Sequence, residues 1–224
     1  MGRPPFQPNF SDLPPVLPLF PLTGALLMPQ GQLPLNIFEP RYLAMVFDAL
    51  GQGRMIGMIQ PQGQGGSPAG EPPSLYKVGC AGRISSFAEA DQGRLLITLA
   101  GVCRFRLAEE VEIVKGYRRA RIDWEPFRRD LDVEQTPQID RPRLIAGLRA
   151  YLRQQNMDLN WSAVDAASDL ALVLSLPMVC PFAPSEKQAL LECAEISSVA
   201  QTLIALFDLA LAEGPDGSPP RPPQ

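Results

Sequence analysis

A change of hydrophobic period at Glu39-Pro40 constrains the fold of this 224-residue chain more than any other feature. Before the change, apolar residues alternate with other residues as they do in a strand, at Leu33, Leu35 and Ile37. After it, apolar residues recur with the spacing of one helix face, at Leu43, Val46, Phe47 and Leu50. Pro40 suits the first turn of a helix, and Gly51 suits its end. The sequence therefore predicts a strand and then a helix with one apolar face, joined at residues 38–42.

The rest of the N-terminal half has the short apolar runs and turn residues of a β-structure. Strands are predicted at residues 17–20, 33–37, 54–60, 76–88, 94–107, 111–114 and 117–127, and a further apolar run lies at residues 25–28. Residues 61–74 are rich in glycine and proline, so we interpret them as a loop. A phosphate-binding loop would need a lysine after the glycines, and none follows. Roughly six to eight short strands with one inserted helix predict a closed or half-closed β-barrel.

The C-terminal half has helical periodicity throughout, after a polar linker at residues 128–141. Four helices are predicted, at about residues 142–155, at 162–176, from 185, and from 197 or 198 to 211. The predicted organisation is a barrel domain at residues 13–127, a four-helix bundle at 141–213, and flexible tails at 1–12 and 214–224. The expected fold class is therefore α+β.

Composition excludes several kinds of site. The chain contains no histidine, which rules out a Ser-His-Asp triad and histidine-ligated metals. No CxxC pair is formed by the four cysteines, Cys80, Cys103, Cys180 and Cys193. We therefore expect no metal and no cofactor. Neither a signal peptide nor a membrane-spanning run is recognisable, so a cytoplasmic protein is expected.

Three segments carry a resemblance to a known family. The first is LPLFPL at residues 17–22, followed by LPLNIFEPRY at residues 33–42. The second is GVCRFR at residues 101–106, and the third is SEKQALLE at residues 185–192. In this order they resemble the N-terminal domain family of the Lon proteases over roughly residues 13–211. The resemblance implies a PUA-like pseudo-barrel followed by helices, in a stand-alone member of the family.

The same resemblance implies recognition of substrate polypeptides rather than catalysis. In full-length Lon proteases this domain precedes an ATPase module and a Ser-Lys peptidase domain, and the residues for these are not found here. The lysines Lys77, Lys115 and Lys187 lack the apolar setting that would activate a Ser-Lys dyad. We therefore expect a non-catalytic module that binds unfolded or partner polypeptides, with no catalytic residue.

The predicted peptide-binding residues lie at the strand–helix junction and in the second family segment. They are Phe38, Glu39, Arg41, Tyr42, Arg104 and Phe105. The aromatic residues would form an apolar groove, and the charged residues would form its polar rim. Glu39 is also placed to accept hydrogen bonds from the N–H groups that open the helix. The alternative is a structural ion pair that fixes the helix to the barrel.

Two other functions stay open at this point. PUA-like barrels include RNA binders, and five arginines follow one strand and its exit, at Arg118, Arg119, Arg121, Arg128 and Arg129. Interleaved acidic residues and a net charge of −4 favour a solvated strand face, so nucleic acid is not the expected partner. The other function is a small-molecule or regulatory pocket at the barrel mouth.

The apolar helix at residues 199–211 could pair two copies of the chain as a homodimer, and no membrane partner is expected.

Overall fold

The computed structural model describes residues 8–63, 73–132 and 135–213. Within these ranges the strands are β1 (Val16–Pro21), β2 (Gln32–Ile37), β3 (Met55–Ile59), β4 (Val78–Ala90), β5 (Arg94–Val114) and β6 (Tyr117–Asp123). The α-helices are α1 (Pro40–Gly51), α2 (Arg141–Gln154), α3 (Trp161–Ala166), α4 (Asp169–Val179), α5 (Pro184–Glu192) and α6 (Ile196–Glu213). Short 3-10 helices lie at Phe10–Asp12, Asp91–Gly93 and Glu125–Leu131.

Parts of three predictions fall on residues outside these ranges. They are residues 1–7 and 214–224 of the predicted tails, residues 64–72 of the predicted loop, and residues 133–134 of the predicted linker. None of the helices in the described ranges combines the length and the apolar character that a membrane crossing requires.

The six strands form one sheet in the order β2-β5-β4-β3-β1-β6, and β6 also pairs with β5. Five strands thus close a ring, and β2 extends the sheet from β5. β1 and β3 are parallel, and the other pairs are antiparallel. β5 is one strand of 21 residues that pairs with β2 through its first half and with β6 through its second half. The sequence predicts two strands in this range, at residues 94–107 and 111–114. The apolar run at residues 25–28 has no regular secondary structure. The α+β class is confirmed.

Phe105 fills the interior of the ring, and two glycines make room for it. Its side chain is fully buried, and its ring meets that of Trp124 edge-on, with 6.0 Å between the centroids. A Cβ atom added to Gly79 would lie 2.5 Å from both the Met58 carbonyl oxygen and the Phe105 ring. A Cβ atom on Gly57 would lie 3.0 Å from the same ring. The packing of Phe105 therefore requires glycine where β3 and β4 pass over it.

The described residues form two compact units. The first contains the described residues up to 132 together with residues 181–192, and the second contains α2, α3, α4 and α6. The sequence predicts α5 as the third helix of the bundle, but this helix belongs to the unit of the barrel. The buried Gln188 donates from Nε2 to the Val78 carbonyl oxygen at 3.1 Å, and Lys187 Nζ donates to the Gly24 carbonyl oxygen at 3.0 Å. A buried glutamine needs such acceptors, and helical periodicity does not reveal where they lie.

The second unit has a helical core in which α2 and α6 pack together. Phe207 of α6 is fully buried, and its ring centroid lies 5.2 Å from that of Tyr151 in α2. The Ser168 side chain caps α4 by accepting a backbone hydrogen bond. The single helix predicted at residues 162–176 is therefore two helices, α3 and α4, and α4 continues past Pro177.

Gly79→Ala should destabilise the barrel, whereas Gly51→Ala should not. A methyl group at position 79 would meet backbone and a buried ring, and overpacking of this kind costs about 1–3 kcal/mol. Gly51 is the exposed last residue of α1, with nothing within 4 Å of an added Cβ, so alanine should leave stability unchanged or raise it slightly. Urea denaturation followed by tryptophan fluorescence measures both effects. Equal midpoints for the wild type and Gly79→Ala would contradict this packing.

Candidate functional site

The predicted site begins where β2 ends and α1 starts. The Glu39 carbonyl oxygen accepts hydrogen bonds from the backbone N–H groups of Tyr42 and Leu43, both at 2.9 Å, and these open the helix. The Glu39 carboxylate does not cap the helix as expected. It binds Arg41 instead, at 2.9 Å from Nε and 2.8 Å from Nη2. Both side chains are largely exposed, so this ion pair contributes only about 0–1 kcal/mol of stability.

The two aromatic residues of the junction differ in exposure. Phe38 is 62% exposed. Tyr42 is buried, and its ring centroid lies 4.4 Å from that of Phe20 in β1. The Arg41 guanidinium lies 4.5 Å from the Tyr42 ring centroid. Burial raises the pKa of the Tyr42 hydroxyl, which therefore stays protonated at neutral pH. Phe38, Glu39 and Arg41 are open to a ligand, whereas Tyr42 holds α1 against β1.

Arg104 and Phe105 do not belong to this surface, because both are buried. The Arg104 guanidinium donates to both carboxylate oxygens of Asp130, from Nε at 2.8 Å and from Nη2 at 2.7 Å. Its Nη1 donates to the Leu191 carbonyl oxygen at 3.2 Å, and the Phe127 ring centroid lies 4.5 Å from the guanidinium. Neither residue lines an open groove, so the groove predicted from them is not formed. Asp130, the partner that the sequence did not reveal, is 26 residues away from Arg104.

α1 has three faces, and one of them is apolar and exposed. The buried face consists of Tyr42, Met45, Val46 and Ala49. The outer face of α1 consists of Leu43, Phe47 and Leu50, at positions i, i+4 and i+7. Phe47 is 59% exposed, and the two leucines are partly exposed. The single apolar face predicted from the periodicity is therefore divided, with Val46 buried and Phe47 exposed. Helical periodicity identifies an apolar stripe, but it cannot select the buried one when two sides of a helix are apolar.

The third face of α1 borders a cavity of about 680 Å³. Apolar residues of β1 and β3 and polar residues of α1, β6 and the β5–β6 turn line it. Asp48 Oδ1 accepts a hydrogen bond from Lys115 Nζ at 2.6 Å, and Oδ2 accepts one from the Tyr117 hydroxyl at 2.9 Å. Both hydrogen bonds lower the pKa of the Asp48 carboxyl group, and the bond from Lys115 has the larger effect. The sequence does not predict this cavity, because Asp48 and Lys115 are 67 residues apart.

The arginines of the RNA hypothesis are largely paired with carboxylates. Ion pairs join Arg118 with Glu110, Arg121 with Glu109 and Arg128 with Glu125. The acidic residues interleaved in the sequence are therefore close to these arginines in space. Such pairing leaves less uncompensated positive charge for a phosphate backbone.

The cysteines have the character of core residues. Cys80, Cys103 and Cys180 are buried, and Cys193 is partly buried. Burial raises the pKa of the Cys80 and Cys103 thiols, which keeps them protonated and unreactive at neutral pH. Across residues 8–63, 73–132 and 135–213, no three cysteine, aspartate or glutamate side chains are grouped so that they could hold a metal ion.

Comparison with known proteins gives the family of this chain. The family model of the ATP-dependent protease La (LON) substrate-binding domain matches residues 16–206. The chain belongs to this family. The match confirms the resemblance carried by the segments at residues 17–42, 101–106 and 185–192.

Relatives of this Lon-family domain include Lon proteases, of which it matches a small part. It is 31% identical to Lon protease 2 of Myxococcus xanthus over 121 residues, which are 54% of this chain and 14% of that protein. It is also 31% identical to Lon protease 2 of Sorangium cellulosum over 144 residues, which are 62% of this chain and 16% of that protein. The chain therefore spans only a small part of the length of these relatives.

Two solved structures share the fold of the Lon-family domain. The crystal structure of a Lon N-terminal domain protein from Xanthomonas campestris aligns with a TM-score of 0.60 and 22% identity, covering 85% of this chain and 97% of that one. The N-terminal domain of the Mycobacterium avium complex Lon protease aligns with a TM-score of 0.58 and 13% identity, covering 86% and 98%. At these identities the likeness establishes the fold alone.

The contacts of Asp48 should make the Lon-family domain lose stability as the pH falls. The pKa of Asp48 is lower in the folded chain than its ordinary value of 3.8. Its contribution to stability is therefore complete above that value and is lost as the pH falls through the folded pKa. The difference in unfolding free energy between the wild type and Asp48→Asn should be constant near neutral pH and should shrink below about pH 4.

Urea titrations from roughly pH 2.5 to pH 7 measure this difference. Lys115→Met is the matched variant, because the Lys115 hydrogen bond is the largest cause of the lowered pKa. It should remove most of the pH dependence. A wild-type advantage over Asp48→Asn that stays the same across the whole range would contradict the stabilising role of Asp48.

Proposed function

We propose that this Lon-family domain binds polypeptides that expose apolar side chains, through the outer face of α1 together with Phe38. The observation that carries the proposal is the exposure of two phenylalanines on and beside one helix, Phe38 at 62% and Phe47 at 59%. The family model describes a substrate-binding domain. An exposed apolar surface suits substrates that are unfolded, because such chains expose apolar side chains that folded proteins bury.

α1 is a preorganised support for this surface. Its buried face packs on the barrel, where Tyr42 contacts Phe20. Its third face is tied to the β5–β6 turn by the ion pair between Asp48 and Lys115. A partner does not have to order the helix on binding, and a preorganised surface binds more tightly than one that must first form.

Backbone hydrogen bonds would add to the apolar contacts. β2 ends at Ile37, immediately before Phe38, and among the described strands it pairs only with β5. Its other edge can accept an extended segment as an additional strand, except at Pro34, which has no N–H group to donate. The ion pair between Glu39 and Arg41 follows directly in the chain and supplies a polar rim.

We expect the domain to bind polypeptides rather than to cleave them. A Ser-Lys dyad needs a lysine in an apolar and unpaired setting. Lys115 is ion-paired with Asp48, and Lys187 donates a hydrogen bond to the Gly24 carbonyl oxygen.

The four cysteines are free, which agrees with the expected reducing cytoplasm. Pairing of two copies through the C-terminal helices stays a prediction, for which the exposed Leu209 of α6 is available.

Phe47→Ala should weaken polypeptide binding by about 5- to 30-fold, the effect of losing about 1–2 kcal/mol from an aromatic contact. Phe87→Ala removes a similarly exposed phenylalanine from β4 and should bind as the wild type does. Both variants should keep the denaturation midpoint of the wild type, because neither side chain is buried. The measurement is the fluorescence anisotropy of a labelled, permanently unfolded apolar peptide at low and high salt.

Equal affinities of the wild type and Phe47→Ala would contradict the proposal. An equal loss in Phe87→Ala would show that binding is not localised to α1. A labelled single-stranded RNA, measured in the same way, tests the alternative function. Salt-sensitive RNA binding without peptide binding would assign the function to the arginines of β6 and its exit.

A further inference from the structure

The cavity beside α1 contains an arginine side chain, Arg119, for which the described residues supply no carboxylate partner. Both oxygens of Asp48 already accept hydrogen bonds, from Lys115 and Tyr117. Arg119 lines the same cavity from β6, and its Nε is buried without a hydrogen-bond partner. In the part of the chain that the structure describes, its guanidinium forms no ion pair. A buried donor left without an acceptor is destabilising, so a ligand that supplies an acceptor removes that penalty.

The neighbouring arginines differ from Arg119 in this respect. Arg118 and Arg121 both have carboxylate partners, Glu110 and Glu109. Strand alternation places Arg119 and Arg121 on the same side of β6. Among the described residues, Arg119 therefore lacks a carboxylate partner because of its position in the cavity, since Arg121 on the same side of β6 has one. Arg119 is the arginine of this strand that an external anion can use.

Apolar residues form one part of the cavity that Arg119 lines, and polar residues, among them Asp48 and Lys115, form the rest. Pro18 is the residue opposite Arg119 in the pairing of β1 with β6. Val16, Met55 and Val114 line the same cavity, and together with Pro18 they are called the apolar wall. A guanidinium binds a carboxylate through two parallel hydrogen bonds, and the apolar wall suits a hydrocarbon group beside that carboxylate. The cavity volume lies in the range of about 300–1,000 Å³ that is typical of ligand sites.

We propose that this cavity binds the C-terminal residue of a polypeptide that ends in an apolar amino acid, with the α-carboxylate on Arg119 and the side chain against the apolar wall. The choice of a polypeptide rests on the proposed function. At such a chain end, the carboxylate and the apolar side chain are attached to the same carbon atom. Phe47 and Asp48 are adjacent on α1, so one polypeptide can place its end in the cavity and an apolar segment on the outer face. Each contact then raises the effective concentration of the other.

Two peptides of the same sequence ending in leucine, one with a free carboxylate and one amidated, test this proposal by fluorescence anisotropy. The wild type should bind the free acid about tenfold or more tightly, the size expected for charge-assisted hydrogen bonds. Arg119→Gln should abolish this preference. Arg121→Gln, the matched control on the same side of β6, should keep it. N-acetyl-leucine should compete with the free-acid peptide, and N-acetyl-leucinamide should not.

Equal binding of the acid and the amide by the wild type would overturn the inference, and this comparison needs no variant to fold. An equal loss of preference in Arg121→Gln would attribute the effect to general charge and would also overturn it. A third peptide, with an internal apolar segment and an amidated end, separates the two proposals. Its binding by the wild type and its loss in Phe47→Ala would support the proposed function whatever the acid–amide comparison gives.

Discussion

The first unit depends on the buried ion pair between Arg104 and Asp130. It joins β5 to the 3-10 helix Glu125–Leu131, and a third hydrogen bond from Arg104 reaches the Leu191 carbonyl oxygen of α5. Both side chains are only 2% exposed. Removing either one would leave an unpaired buried charge, which costs about 3–5 kcal/mol. Arg104 therefore belongs to the core, whereas Phe38 and Arg41 of the predicted site are exposed at the start of α1.

α1 links the fold to the proposed function, because its three faces have different surroundings. The buried face fixes the helix to the barrel through residues such as Tyr42 and Met45. The third face, with Asp48, borders the cavity that also contains Arg119. The outer face carries Phe47 and is open to solvent. Both contacts proposed for a polypeptide, with the apolar outer face and with the cavity that contains Arg119, therefore lie on or beside one helix.

The elements of the fold were predictable because their signals are local. The change of period at Glu39-Pro40 locates α1, and the turn residues locate β4 and the turn between β5 and β6 to within a few residues. The signals do not show that β5 is one strand or that α3 and α4 are two helices. The face of α1 that is buried was not predictable, since both candidate stripes are apolar. The position of α5 was not predictable either, because it depends on the hydrogen bonds that the buried Gln188 makes with residues far away in the chain.

The site was predictable only in part, for the same physical reason. Phe38 and Arg41 are exposed at the helix start, as expected from the local sequence. Arg104 carries a charge that sequence reasoning assigns to a surface, and only its distant partner Asp130 explains its burial. The cavity at Asp48 needs the β5–β6 turn to fold back onto α1, which is a tertiary contact without a local signal.

The central claim is that polypeptides bind on α1, and amide chemical-shift mapping tests it most directly. The ¹⁵N-labelled protein would be titrated with an unlabelled, permanently unfolded apolar peptide. The largest shifts should fall on the amides of Leu43, Phe47 and Leu50 and on Phe38. Shifts confined to β6 and its exit, with those α1 amides unchanged at saturation, would contradict the claim.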